Sequence, residues 1–135
     1  DRYFTQVIEL LDFPRGDALA HLTYPYRYMK QAGRKVDFKI YRDNLAAIYT
    51  KLMSRCAALE INTSGYRQGM DAPLPDMHFI ELYRECGGEL TVVGSDAHKP
   101  EDIGVGIERA YSLLRSLGFK YTYIPASGGF EPISI

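Results

Sequence analysis

The feature of this chain that most limits its fold is the regular alternation of helical and strand patterns along its 135 residues. Four segments with apolar residues at helical spacing alternate with four short apolar runs that are typical of buried strands. The predicted helices are 2–12, 38–56, 76–86 and about 100–117, and the predicted strands are 18–23, 57–62, 89–95 and 121–124. The stretches 24–36 and 63–75 and the tail are predicted to be irregular. This alternation predicts an α/β fold of βα units on a parallel sheet.

Two architectures satisfy this pattern, a small open three-layer sheet and part of a closed α/β barrel. A complete barrel needs about 200 residues or more. With 135 residues and four predicted strands, the chain would supply at most about half of one. We therefore expect residues 1–135 to form a single, partial domain.

Composition narrows the functional classes. The chain has 16 Lys and Arg against 17 Asp and Glu, for a net charge of -1, whereas proteins that bind nucleic acid through its phosphates are usually basic. The sequence has no apolar run of about 18 residues, so no membrane helix is predicted, and no signal peptide is visible. We expect a cytoplasmic protein that binds neither nucleic acid nor membrane.

Polar residues stand at the ends of three predicted strands, where parallel α/β folds bind their ligands. The pairs are His21 with Thr23, Glu60 with Asn62, and Asp96 with His98. Because side chains two positions apart in a strand share one face, each pair should point the same way. Asp96 and His98 could present a carboxylate and an imidazole to a metal ion or a phosphate. Each group also has a structural alternative: a helix cap for Asp96, a core histidine for His21 and a structural ion pair for Glu60.

Two arginines lie in the predicted loops that follow the first two of these strands. Arg27 follows the first strand and Arg67 follows the second. A guanidinium group is well shaped for bidentate phosphate binding. The alternative is an arginine that is solvated or stacked on a tyrosine.

Three stretches of the chain occur in the same order and spacing in the PHP superfamily. They are AHLTYPYRY at 20–28, LEINTSG at 59–65 and GSDAHKPEDIG at 94–104. The second stretch, together with LLRSLGF at 113–119, resembles the histidinol-phosphatase branch in particular. The resemblance covers nearly the whole chain.

This resemblance implies a metal-dependent phosphatase on a (β/α)7 barrel, of which the chain would be the carboxyl-terminal half. It implies zinc, manganese or iron ions that assist hydrolysis of L-histidinol phosphate, a small-molecule phosphate ester, in histidine biosynthesis. The implied roles are metal ligands for His21, Asp96 and His98, catalysis for Asp96 and His98, phosphate binding for Arg27 and Arg67, and support of the ligands or the substrate loop for Glu60 and Asn62.

Two departures from the family pattern matter. Thr23 stands where the family usually has Asp, and the amino-terminal half with its His-x-His motif is absent. Because each ion needs about four to six donors, we expect the chain alone to be an incomplete and inactive fragment. We also expect self-association or pairing with a complementary amino-terminal half. The alternatives are another PHP phosphoesterase and a non-catalytic remnant that binds metal weakly and folds by pairing with another chain.

Overall fold

The computed structural model describes residues 2–13 and 16–135. This part of the chain contains six α-helices and five strands. The helices are α1 (Arg2–Leu10), α2 (Tyr24–Gln31), α3 (Arg42–Ser54), α4 (Ser64–Arg67), α5 (Met77–Glu85) and α6 (Ile107–Ser116), and the strands are β1 (Ala18–Leu19), β2 (Ala58–Asn62), β3 (Thr91–Gly94), β4 (Tyr121–Ala126) and β5 (Gly129–Ser134). Across these described segments, no helix is both long and apolar enough to cross a membrane.

The five strands form one sheet whose spatial order follows the chain order. Strands β1 to β4 are parallel, and β5 pairs antiparallel with β4 at the edge. Parallel strands in unbroken sequential order are typical of α/β barrels, whereas doubly wound sheets reverse their order at a switch point. The predicted parallel α/β fold is confirmed, and its strand order is of the barrel type.

The hydrophobic core lies on one face of this sheet. Leu59 and Ile61 of β2 are fully buried there against Ile48 and Leu52 of α3. Because strand side chains alternate between faces, Glu60 and Asn62 belong to the opposite face. The strand alternation therefore separates the residues that hold the fold together from the polar pair at the end of β2.

Helix α2 corrects the prediction that 24–36 is irregular. Pro25 lies in the first turn of α2, where its missing N–H is not needed and its fixed φ angle suits the helix. A proline in a tyrosine-rich stretch is typical of a loop, but here it marks the start of a helix. The stretch 63–75 likewise contains the short helix α4.

The fourth predicted helix begins later than expected. Pro100–Asp102 forms a separate 3-10 turn, and α6 starts at Ile107, because Gly104 and Gly106 adopt left-handed backbone conformations between them (φ 78° and 84°). Left-handed residues interrupt a right-handed helix.

The tail, predicted to be irregular, forms β5. A two-residue loop at 127–128 joins β4 to β5, and Ala126 pairs with Gly129. Gly128, the second loop residue, has a positive φ of 91°, which glycine adopts without steric cost. The sheet therefore ends in a hairpin that covers the outer edge of β4.

Candidate active site

The strand ends of β1 and β3 border one cavity of about 520 Å³. His21, Asp96 and His98 line it together with residues of α1 and the start of α2. The structure therefore brings the three predicted metal-ligating residues to one place, although His21 and His98 are 77 positions apart in the chain.

His21 lies beyond the end of β1, which corrects the prediction that it shares a strand face with Thr23. Its backbone is left-handed, with φ 57°, so the two-residue alternation of a strand stops before it. The His21 N–H donates to Glu60 Oε2 at 3.1 Å. Its Nδ1 lies 3.7 Å from the same oxygen and 3.4 Å from Asn62 Nδ2. Glu60 and Asn62 share one face of β2, as predicted, and both reach His21.

Thr23 is buried, and its Oγ1 has no hydrogen-bond partner among the described residues. It precedes α2 without capping it through its side chain. A hydroxyl therefore occupies the position where the family resemblance leads us to expect a carboxylate.

Asp96 and His98 follow the end of β3, as predicted, but β3 already ends at Gly94, so the two residues do not continue a strand face. Asp96 has a left-handed backbone with φ 50°. His98 Nδ1 lies 2.9 Å from the Asp96 carbonyl oxygen and 3.8 Å from Asp96 Oδ1. The His98 side chain is 82% exposed, so its other ring nitrogen is free to meet a ligand.

Arg67, at the end of α4, crosses to the loop that follows β3. Its Nη2 donates to the carbonyl oxygens of Ser95 and Asp96 at 3.0 and 3.3 Å. Its Nε lies 3.2 Å from Asp102 Oδ1. The Nη1 atom is buried and has no hydrogen-bond partner in the described structure. Arg67 therefore holds the loop with two nitrogens, while the third is buried and unpaired in the described structure.

Arg27 lies on α2 rather than in a loop. Its guanidinium sits 4.9 Å from the Tyr24 ring centroid and 4.8 Å from that of Tyr28, and it also donates to Gln68 and to the Tyr28 hydroxyl. The hydrogen bond with Tyr24, and then the guanidinium of Arg27, lower the pKa of Tyr28, while the Tyr28 hydrogen bond raises the pKa of Tyr24. The cation is thus held in an aromatic and amide setting without a carboxylate partner among the contacts described.

The donor set for a metal ion is incomplete. Imidazole and carboxylate suit zinc and other divalent ions. Yet within residues 2–13 and 16–135 no group of three His, Cys, Asp or Glu side chains is arranged to hold one ion. The described residues do not by themselves fit a complete metal centre.

Sequence reasoning missed the contribution of α1. Tyr3, Val7 and Leu10 line the cavity, and the Tyr3 hydroxyl donates to the Leu22 carbonyl oxygen at 2.9 Å, next to His21. It also missed Gln68 and Asp102, which hold the two arginines. The helical periodicity of 2–12 predicted an apolar face that includes Tyr3 and Val7, but no local pattern shows that this face borders the strand ends.

Comparison with known proteins relates the chain to one group of enzymes. No protein-family model matches it. A probable histidinol-phosphatase from Thermotoga maritima is 38% identical over 120 residues, which are 88% of this chain and 48% of that protein. Histidinol-phosphatase from Lactococcus lactis is 28% identical over 111 residues, which are 80% of this chain and 40% of that protein. The matched part of the chain thus spans less than half the length of each of these two relatives.

A solved structure shares the fold. It is the crystal structure of a histidinol phosphate phosphatase from Lactococcus lactis in complex with zinc, L-histidinol and phosphate. The TM-score is 0.72 at 19% sequence identity, over 96% of this chain and 49% of that one. By sequence the chain is similar to histidinol-phosphatases, and it shares its fold with a histidinol phosphate phosphatase.

Proposed function

We propose that this chain forms part of a metal-dependent phosphomonoesterase that hydrolyses L-histidinol phosphate. The observation that carries the proposal is the single cavity where His21, Asp96 and His98 meet, on a fold shared with a phosphatase that was crystallised with zinc, L-histidinol and phosphate. The relatives are named histidinol-phosphatases, which supports the same substrate. The product would enter histidine biosynthesis in the cytoplasm.

In this reaction a water oxygen bonds to phosphorus while the bond from phosphorus to the histidinol oxygen breaks. The phosphoryl oxygens gather negative charge, which positive donors stabilise. We assign phosphate contact to Arg27 and to the unpartnered Nη1 of Arg67. Asp96 and His98 are the proposed catalytic pair at the cavity wall, and Glu60 and Asn62 support His21.

The metal centre needs more ligands than the described residues supply. We propose that His21, Asp96 and His98 each contribute to it, and that its remaining ligands lie in the part of the relatives that this chain does not cover. Zinc is favoured by the crystallised neighbour, with manganese and iron as the other candidates. The chain would then be one partial domain, completed by a complementary amino-terminal half or by self-association.

Phosphate release from L-histidinol phosphate tests this function. The assay compares the chain alone with the chain co-expressed with the part of the Thermotoga maritima relative that it does not cover, each with zinc, manganese or iron. We expect release only from the completed protein, and its loss in Asp96→Asn. An absence of release with every metal, from a completed protein that is folded, would reject the substrate.

The incomplete donor set also favours a second candidate, a non-catalytic chain that binds metal weakly. Calorimetric titration of the chain with zinc separates the two. If the completed protein binds zinc no more tightly than the chain alone and releases no phosphate, the non-catalytic function is correct.

A further inference from the structure

Two residues of the candidate site share an uncommon backbone conformation. His21 and Asp96 have φ angles of 57° and 50°, and each comes shortly after the end of a parallel strand. Few residues other than glycine adopt positive φ, because the Cβ atom meets the neighbouring carbonyl oxygen. Such conformations persist only where the surrounding structure fixes them. The question is therefore what holds each of these two turns.

Charged side chains from one short segment, β2 and α4, reach both turns. Glu60 of β2 accepts the hydrogen bond of the His21 N–H at 3.1 Å, and its side chain is 19% exposed. Arg67 of α4 donates to the carbonyl oxygens of Ser95 and Asp96, and its side chain is 20% exposed. Each interaction is made with the backbone of the left-handed turn, so each constrains that backbone directly.

The sheet order explains why one segment can serve both turns. Strand β2 lies between β1 and β3, so its end is next to the ends of both. Gly94 at the end of β3 lies beside the Glu60 carboxylate, since a Cβ atom there would make an ordinary contact at 3.7 Å from Glu60 Oε1. Asp102 orients the Arg67 guanidinium from the other side. The side chains of Glu60 and Arg67 therefore reach the neighbouring strands on opposite sides of β2.

We propose that Glu60 and Arg67 are positioning residues that hold His21 and Asp96 in their left-handed conformations, so that both side chains face the same cavity. Arg67 would then have two tasks, with Nη2 fixing the turn at Asp96 and Nη1 left for an anion. The proposal rests on the proposed function only in treating the cavity as the active site. The backbone conformation itself needs neither metal nor substrate.

Solution NMR of the isotope-labelled chain tests it, because a positive φ gives a short distance between the amide proton and Hα of the same residue. We expect Arg67→Met to abolish the positive φ at Asp96 and leave that at His21. Glu60→Ala should do the reverse. Glu60→Gln, which keeps an acceptor oxygen, should restore His21. Arg84→Met is the matched control, since Arg84 also pairs with a carboxylate and donates to a backbone carbonyl, at the end of α5.

Both φ angles remaining positive in Arg67→Met and Glu60→Ala would overturn the proposal, whether or not the completed protein is a phosphatase. If Arg67→Met does not fold, urea unfolding replaces NMR. Asp96→Gly should raise the unfolding midpoint, because glycine adopts a left-handed conformation without strain. That gain should be smaller in the Arg67→Lys background, where the turn is no longer fixed. Equal gains in both backgrounds would also overturn the proposal.

Discussion

Two buried tyrosines make the stability of this molecule depend on pH. Tyr49 and Tyr83 are fully buried, their rings pack edge to face with centroids 5.2 Å apart, and their hydroxyls donate to the Phe79 and Leu90 carbonyl oxygens. Burial disfavours the phenolate. It raises the pKa of Tyr83 to about 12 and that of Tyr49 further.

The free energy of unfolding should therefore fall as the pH rises above about 10. In the unfolded chain both tyrosines lose their protons near their ordinary pKa of about 10, while in the folded chain they keep them. The stabilisation is fully present below pH 10 and is lost as the pH rises toward the folded pKa. Each tyrosine contributes a slope of up to about 1.4 kcal/mol per pH unit. Urea unfolding between pH 8 and 11 measures it.

The double variant Tyr49→Phe and Tyr83→Phe should have a shallower decline over this pH range. Tyr121→Phe is the control, because Tyr121 is an exposed tyrosine outside the buried pair. Equal slopes for the double variant and the control would contradict the assignment of the decline to the buried pair.

At the residue scale, the sequence predicts where the site residues gather but not their conformation. The positions of His21 and Asp96 at strand ends follow from the alternation of elements. Their left-handed backbones depend on Glu60 and Arg67, which are 39 and 29 positions away in the chain. No local pattern carries that information, because neither position is a glycine.

The helix α4 carries Arg67, which donates to the loop after β3 at the carbonyl oxygens of Ser95 and Asp96. Gly65 lets it approach the following loop, where an added Cβ would lie 2.2 Å from the Ala72 carbonyl oxygen. We expect Gly65→Ala to destabilise the chain by about 1–3 kcal/mol through overpacking against backbone. Gly94→Ala is the matched control, because its Cβ would make an ordinary 3.7 Å contact. Urea unfolding of both variants checks this, and equal stabilities would contradict it.

The hairpin of β4 and β5 depends on one glycine of its two-residue loop. Gly128 has φ 91°, whereas Ser127 has no positive φ. We expect Gly128→Val to speed amide hydrogen exchange in β4 and β5 and to leave β2 unchanged, because a β-branched residue resists positive φ. Ser127→Val should exchange like the wild type. Equal exchange in the two variants would show that the turn does not require glycine.

At the element scale, helices and parallel strands were predictable where apolar periodicity was strong, as in α3 and β2. The failures at α2 and β5 have local causes. Pro25 resembles a loop residue because its first-turn position depends on where the helix starts. Strand β5 has no buried residue, so it shows little apolar alternation. Its Ser-Gly-Gly turn was the available signal.

At the scale of the molecule, the two edges of the sheet differ. The β4 edge is covered by β5, which contains Pro132 and so lacks one backbone donor. The other edge is β1, with only two residues. Near it in the chain, Leu10 and Phe13 are 58% and 65% exposed. An exposed sheet edge with nearby apolar side chains is a natural site of association.

We therefore expect the isolated chain to self-associate, and the association to depend on these two side chains. Burying one leucine or phenylalanine contributes about 1.5–3 kcal/mol, so replacing both by charge should weaken a dimer by orders of magnitude. In sedimentation velocity, the wild type should grow in mass with concentration, while the double variant Leu10→Glu and Phe13→Glu stays monomeric. Ile103→Glu, at an even more exposed apolar residue in the loop after β3, should behave like the wild type. A wild-type chain that remains a monomer at every concentration and unfolds cooperatively would show that this five-stranded sheet is stable without a partner.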